Sequence, residues 1–590
     1  MSVNRVSIVS HVSSLWFGRY RELALIALGG LIGIIAGLVV SAMSLLTEGL
    51  HALLFGIPLT QRLSEQHALL HAGLIVVPCI GGVLIGASLW LTERLKMRLP
   101  VDPIEANALH GGRMAIGESL LVAAQTVISS GFGASVGLEA GYTQASASFA
   151  SRLALLLGLR RNEVRMLVGC GAAGAISAAF NAPITGAFYA FELIIGTYSV
   201  TLIAPVMAAA VVARLMTYVV GIEHIPIEIG KVNTISAIQL PGYILLGLAG
   251  GFAAVATMRS VTSIETLFKR IRCPVPLRPL IGGLIVGVFG YISPQVLSSG
   301  HGALHLELAL HLPWNWLLFL FFFKALASAL SLGTGFRGGL FFSSLFLGSL
   351  VGKIFASVLP AYGVWPGMPE MVAAVVGMSA MAVGAVGGPL TMTFLAIEST
   401  GELSIGIAVL LASIASAIIV RETFGYSFST WRLHLRGETI RSAHDVGRMR
   451  SLTVGGLMRP TQEAIAASTS LKTFCATFPL DSGQRIVALE TDGRYAGIIS
   501  IAAAHALRHE TGCPEDAGLS MLVTLADEML DPAMSAEEAA HRFAATDAEE
   551  LAVVDSRAQR RVIGIVTEQH LLRRYAEELE KARRDLAGNI

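Results

Sequence analysis

Charge is scarce in most of this sequence. Asp, Glu, Lys and Arg make up 14% of the 590 residues, against about a quarter in a soluble globular protein. The shortage is local: 39 of the 83 such residues fall in 441–590, which leaves 44 for the first 440. A net formal charge of +1 and the lack of a basic stripe interleaved with aromatics exclude a nucleic-acid partner. Cysteine is also rare. The five (Cys79, Cys170, Cys273, Cys475 and Cys513) are scattered, odd in number and form no CxxC, which excludes a disulfide or zinc framework. No Ser/His/Asp or metal constellation suggests an enzyme, and no cofactor is implied.

What is there is hydrocarbon. The chain is 54% hydrophobic with a mean hydropathy of +0.66. Apolar blocks run at 23–46, 73–92, 115–130, 142–158, 164–195, 200–220, 241–257, 279–292, 314–332, 339–359, 371–398 and 402–420. The first block is too long for a signal peptide and lacks a clear cleavage site. Several others are shorter than the ~20 residues that cross a bilayer core, and many are cut by glycine or proline. Helices that stop inside a membrane are tolerated only where protein or a water-filled cavity covers the loose backbone. The blocks therefore predict a membrane domain with helix ends at its interior, followed by a soluble domain. Arg421, Arg432, Arg436, Arg441, Arg448 and Arg450 follow the last block, which predicts that this end is cytoplasmic.

The membrane part contains a duplication. PITGAFYAFE (183–192) and PLTMTFLAIE (389–398) both fit P-[IL]-T-x-x-F-x-A-x-E, 206 residues apart. A Val-Gly start and a small-residue helix precede each. Further upstream each half has a glycine-rich loop opening an apolar helix: GFGASVGLEAG at 131–141 and GTGFRGGLFF at 333–342. Paired interrupted segments in two repeats point to a binding site at the membrane midplane.

The glycine loops suggest what is bound. A helix N-terminus exposes unpaired N–H groups and carries partial positive charge, and glycine lets the backbone approach an ion closely. Two such starts facing one point in a low dielectric make an anion site without a full cation, although glycine can equally serve tight helix packing. Glu139 stands at the first loop as the sole charged residue between Glu118 and Arg152. Its carboxylate can occupy the place of an anion and leave when protonated, which makes it a candidate gate; an intramembrane acid is by default a functional candidate.

These residues resemble the CLC family of chloride channels and chloride/proton exchangers. GLEAG (137–141) is similar to the family's GxEGP element, GTGFRGGLFF (333–342) to its GxxGGxFxP element, and FNAPITGAFYAFE (180–192) to the FNAP helix after the gate. The resemblance covers about residues 20–430. It implies a membrane domain of two inverted repeats with about 18 mostly tilted helices, in a homodimer with one anion pathway per subunit. It implies that Glu139 is the gating glutamate, that Val136, Gly137, Leu138 and Ala140 line the outer site, and that the amides of Leu340 and Phe341 hold a central chloride. Three departures stand out. The family's serine ligand falls at Pro100 in LPVDPIEA (99–106), its inner tyrosine at Ser429, and the exchangers' second glutamate at Leu193. Ser429 still offers a hydroxyl. Leucine carries no proton, and Glu192 beside it is turned about 100° away on a helix. The expectation is channel-like, passive chloride flux, with chloride/proton antiport as the alternative.

Other residues leave alternatives open. Lys324 inside FLFFFKALASAL is either a pathway residue or a lysine that snorkels or pairs. Arg337 either raises anion occupancy by its field or caps a loop. His301, His305, Glu307 and His311 have the residue types of a metal site but no accompanying cluster. RIVALETDGRYAGIIS (485–500) and LAVVDSRAQRRVIGIVTE (551–568) each read strand, turn, strand, and 451–575 resembles a pair of CBS modules. CBS pairs also accompany magnesium transporters, but a magnesium path calls for rows of carboxylates and carbonyls. Such pairs often bind adenine nucleotides through an Asp shortly after the second strand's Ser or Thr. Here Ile501, Ala502 and Ala503 follow Ser500, and Glu568, Gln569 and His570 follow Thr567, so adenine-nucleotide binding stays open beside a dimerising or other sensing role, and the expectation is weak or no ATP binding. The expected layout is a cytoplasmic N-terminal segment at 1–22, the anion-transport domain at 23–430, a basic linker at 431–450, and a CBS pair with a C-terminal helix at 451–590, in a cell inner membrane with both termini cytoplasmic.

Overall fold

The computed structural model describes residues 21–66, 68, 71–222, 227, 235–361, 368–435, 452–460, 464–480, 485–508, 518–546, 548–556, 558–574 and 577. Most of the N-terminal segment, the linker beyond 435, Cys513 and most of the expected C-terminal helix lie outside these. The chain divides into two compact units, Met1–Asp445 and Val446–Ile590.

Seventeen helices build the first unit among the described residues. They are α1 (Arg21–Phe55), α2 (Val76–Arg94), α3 (Pro103–Leu109), α4 (Ile116–Gly131), α5 (Glu139–Leu156), α6 (Arg161–Phe180), α7 (Pro183–Tyr189, continued by a π turn, Ala190–Ile195) and α8 (Val200–Val220). Then follow α9 (Leu240–Arg270), α10 (Arg278–Ile292), α11 (His301–Ala309), α12 (Trp314–Thr334), α13 (Phe341–Ala361), α14 (Glu370–Val386), α15 (Pro389–Thr400), α16 (Gly406–Thr423) and α17 (Phe428–His434). Nine helical segments among the described residues are long and apolar enough to cross a membrane. At 35 residues, α1 exceeds the ~20 needed to span. The short α3 and α11 were not evident as apolar blocks. Block 164–195 divides at Asn181, whose φ is +57°, just before Pro183. Block 371–398 divides at Gly387 and Gly388, with φ of +95° and +71°, just before Pro389. A left-handed residue followed by a proline ends one helix and opens the next.

Helices α1–α8 and α9–α16 repeat one another in order and in packing. The pair α1/α8 packs as α9/α16 does, and α5/α6 as α13/α14. Contacts between the repeats are reciprocal, which is the mark of a two-fold relation. Gly137 N–H donates to Gly339 O at 3.0 Å and Gly339 N–H to Gly137 O at 3.1 Å. Ser135 N–H donates to Ser331 Oγ (2.9 Å) and Arg337 N–H to Ser129 Oγ (3.0 Å). A Cβ on Gly82 would lie 2.2 Å from Pro279 O, and one on Gly283 2.2 Å from Pro78 O. So α2 and α10 touch backbone to backbone, where only glycine fits.

The same symmetry explains the repeated P-[IL]-T-x-x-F-x-A-x-E motif. The Glu192 carboxylate at the end of α7 accepts from Leu390 N–H (3.1 Å), Thr391 N–H (2.8 Å) and Thr391 Oγ1 (2.6 Å) at the start of α15. The Glu398 carboxylate on α15 accepts from Ile184 N–H (2.9 Å), Thr185 N–H (2.8 Å) and Thr185 Oγ1 (2.7 Å) at the start of α7. Each proline occupies the first helical position, each threonine adds a hydroxyl donor, and each glutamate satisfies the free N–H groups of the other repeat's helix. The motif is a pair of swapped caps.

The second unit holds β1 (Ala464–Ala466), β2 (Arg485–Leu489), β3 (Tyr495–Ser500), β4 (Glu550–Val554) and β5 (Val562–Thr567). Strand β1 runs parallel to β2, which pairs antiparallel with β3; β4 and β5 form a second antiparallel pair. Helices Leu471–Thr477 and Ala536–Thr546 precede the two hairpins, so each module repeats helix, strand, turn, strand. Ser500 Oγ accepts from Ala503 N–H (3.3 Å) and Thr567 Oγ1 from His570 N–H (3.2 Å). Both hydroxyls cap the segment that follows.

Glu192→Ala leaves three donors at the start of α15 without their acceptor. Hydrogen bonds to a charged group contribute about 1.5–3 kcal/mol each at most. The expected result is a fall in thermal stability of the detergent-solubilised protein of at least the effect of one such bond, with a similar fall for Glu398→Ala; an unchanged melting curve for both would show that the swapped caps do not hold the repeats. For the second unit, titration calorimetry of the chain with ATP should show no micromolar binding, because neither Ser500 nor Thr567 is followed within three residues by an Asp for the ribose and both hydroxyls accept from the backbone of the segment that follows.

Candidate functional site

The two glycine loops end α4 and α12 in the same way. Gly133 and Gly335 have φ of +86° and +114°, a left-handed turn that glycine adopts without strain. Ala134 N–H then returns to Ser129 O (2.9 Å) and Phe336 N–H to Ser331 O (3.0 Å). The chain crosses the Gly137–Gly339 bridge and enters α5 at Glu139 and α13 at Phe341. Two helix starts are thereby fixed beside one another in the interior.

Glu139 lies where they meet. It is 4% exposed. Its side chain folds back over Gly137: a Cβ there would lie 2.0 Å from Glu139 Oε2, and one on Gly339 3.5 Å from it. The carboxylate faces the N–H groups of Glu139 and Phe342 and interacts electrostatically with Lys324. Its Oε2 has no hydrogen-bond partner among the described residues. Two partial positive charges thus converge on one carboxylate, the geometry that favours an anion there.

Glu139 also separates two cavities, since it lines both. The first, here called outer, is lined among others by Ser44, His51, Leu138, Tyr142, His301 and Phe342. The second, the inner one, is lined by Pro100, Asp102, Tyr189, Phe341, Ser429 and Arg432, among others. Phe341 and Phe342 divide between them, and Phe180 packs on both rings, at 4.7 and 5.9 Å between centroids.

The other expected site residues fall as follows. Ala140, Arg337, Leu340, Phe341 and Ser429 line the inner cavity. Leu138 lines the outer one. Val136 and Gly137 line neither: Val136 is buried in the apolar cluster with Leu340 and Phe336, and Gly137 carries the bridge. Leu193 packs among Ile104, Met114 and Tyr189. Glu192 is not at the pathway, because its carboxylate is spent on α15. Of the histidines, His301 bonds Ser299 Oγ (2.6 Å) and stacks on Phe342 (3.3 Å), while His311 pairs with Glu370 (2.8 Å).

Three contributors escaped the sequence reading. Asp102 caps α3 by accepting from Ile104 N–H (2.8 Å) and also lines the inner cavity. The Asp-Pro step of LPVDPIEA is a helix-start signal, and it would have placed Asp102 beside Pro100. Tyr189 sits inside the repeated motif, which hid it. Phe342 follows from nothing in the loop pattern.

Known proteins match this arrangement. A model of the voltage gated chloride channel family matches residues 81–421, and a CBS domain model matches 527–577. A ClcB-like chloride channel protein of Ralstonia nicotianae is 30% identical over 358 residues, 59% of this chain and 82% of that one. The voltage-gated ClC-type chloride channel ClcB of Salmonella typhimurium is 26% identical over 59% of this chain and 84% of its own. Among solved structures, a slow cyanobacterial Cl−/H+ antiporter superposes with a TM-score of 0.60 at 19% identity, over 70% of this chain and 97% of that one. A eukaryotic CLC transporter does so with a TM-score of 0.59 at 18% identity, over 93% and 98%. At these identities the structural likeness speaks for the fold. With the family model spanning most of both repeats and a curated relative matched over most of its length, the chain belongs to the voltage-gated chloride channel (CLC) family, whose members are transporters or channels and not enzymes.

Proposed function

We propose that this protein carries chloride or a similar small anion across a bacterial inner membrane, along one pathway per subunit of a homodimer, with both termini in the cytoplasm. The observation that carries the proposal is the position of Glu139. It is the shared wall of two cavities and lies between the starts of α5 and α13. An anion entering from either side must take the place of the carboxylate. A protonated Glu139 has no claim on two helix N-termini and yields the place; an ionised one competes for it.

On the inner side the passage is lined by Pro100, Leu340, Phe341 and Ser429. The amides of Leu340 and Phe341 belong to the start of α13 and suit a chloride within it. Arg337 and Arg432 add positive charge to this cavity and raise the local anion concentration. With Leu193 packed among apolar side chains and a serine at 429, passive, voltage-driven flux is the primary reading. One observation favours a second. Asp102 and Tyr189 line the inner cavity and lie within electrostatic range of each other, with Glu139 in range of Tyr189. They are groups that could pass a proton to the gate from within, as antiport requires.

Two measurements on reconstituted liposomes test these readings. Glu139→Gln, which mimics the protonated gate, should keep anion flux and lose its pH dependence; wild-type pH dependence in that variant would remove Glu139 as the gate. The reversal potential under opposed chloride and proton gradients should follow chloride alone. A potential that moves steadily with the proton gradient overturns passive flux in favour of the route through Tyr189 and Asp102.

A further inference from the structure

Two lysines of the membrane unit are wholly buried among the described residues. Lys353, 1% exposed, pairs with Glu370 (3.1 Å) and donates to Glu307 O (2.5 Å) and Leu310 O (2.6 Å). Its charge and its hydrogens are accounted for. Lys324 on α12, 0% exposed, donates to Val296 O (3.1 Å) and Ser298 O (2.8 Å). It has no carboxylate within ion-pair distance among the described residues, and an ammonium has three donors. A buried amine keeps its charge only where a negative group stands near it; without one it gives up its proton. The fold nonetheless goes out of its way to seat it. Ser298 adopts φ +54°, a strained value for a residue with a Cβ, and its carbonyl meets the ammonium. Gly300, at φ +93°, passes within 3.4 Å of Nζ at the position a Cβ would take.

The place of this lysine supplies the missing charge. Ser298 and Ser299 wall the outer cavity together with Glu139 and Phe342, so the ammonium stands behind the wall next to the anion position. Glu139 and Lys324 interact electrostatically with each other. The other charged or titratable groups around Glu139 are Glu48, His51, Arg62, Tyr142, His301, His305 and Glu398 at the outer cavity, and Asp102, Tyr189, Arg337 and Arg432 at the inner one. The arginines among them line cavities, where water and ions screen them. Lys324 is sealed from solvent, where its field is least screened.

We propose that Lys324 is the resident countercharge of the outer anion position. One negative charge stays near it throughout transport: the Glu139 carboxylate when the path is shut, and the transported anion when Glu139 has left. Lys324 is thus an anion-positioning residue that acts through space, without entering the path. The inference rests on the anion-transport reading and extends it to a residue that neither the loops nor the motifs mark.

The test uses the full chain in liposomes. Lys324→Gln removes the charge and keeps a donor for the two carbonyls; Lys324→Met is the second neutral variant should the first not assemble, and Lys324→Arg keeps the charge. In the Glu139→Gln background, where the gate no longer titrates, a neutral variant should raise the chloride concentration for half-maximal flux on the order of tenfold, and Lys324→Arg should restore it. In the background with Glu139 intact, loss of the cation removes a stabiliser of the ionised carboxylate. The carboxyl then keeps its proton to higher pH, and the pH–flux midpoint should move to the alkaline side. A neutral variant that folds, lowers melting temperature, and leaves both the half-maximal concentration and the midpoint unchanged would reduce Lys324 to a tie for the 296–300 loop and overturn the proposal. The affinity measurement is made without a titrating gate, so failure of the Glu139 assignment and failure of this one remain separate results.

Discussion

An unpaired N–H inside a bilayer has no water to turn to, and this constraint shapes the whole membrane unit. Several helices begin and end at the interior, so the fold must dispose of the backbone groups those ends leave open. It does so by pairing one repeat with the other. The Gly137–Gly339 bridge closes the two loops on each other. Ser129 and Ser331 take the amides of Arg337 and Ser135. Glu192 and Glu398 take the starts of α15 and α7. At the starts of α5 and α13, the amides of Glu139 and Phe342 face the Glu139 carboxylate.

The duplication was legible in the sequence because it repeats residue types that each serve a physical purpose. A proline stands at a helix start, a threonine lies close behind it, and an acid closes the far end. The purpose itself was not legible, since it lies across the repeats. Read along one chain segment, Glu192 looked like a neighbour of the lost proton position. Only the partner helix shows that its carboxylate is occupied. The same holds for α3 and α11, whose seven and nine residues are too short and too polar to register as apolar blocks. The breaks at Asn181 and Gly387–Gly388 were marked by proline, yet long apolar blocks ran through them, because hydropathy carries no information about φ.

At the site, the loops and the acid were visible as a glycine-rich pattern around one charge. The cavity walls were visible only in part, at residues such as Leu138, Leu340, Phe341 and Ser429. Asp102 and Tyr189 in the inner wall, and Lys324 behind the outer one, belong to the start of α3, to α7 and to α12, which meet only once the fold forms. The sequence could place Lys324 in an apolar run but could not say whether it reached a headgroup, an acid or a carbonyl. The two carbonyls of Val296 and Ser298 decide that point, and the contrast with Lys353 gives it meaning.

The first loop leads to Glu139 and the second, through the same backbone turn and the same bridge, to Phe341. The scaffold is nearly indifferent to which way round it is viewed; the side chains are not. One half offers an acid to the ion and the other a phenyl ring. The place where the two helix starts meet is therefore chemically lopsided within an almost symmetric frame. A repeated backbone thus leaves each half free to carry its own chemistry at positions 139 and 341 without any change of fold.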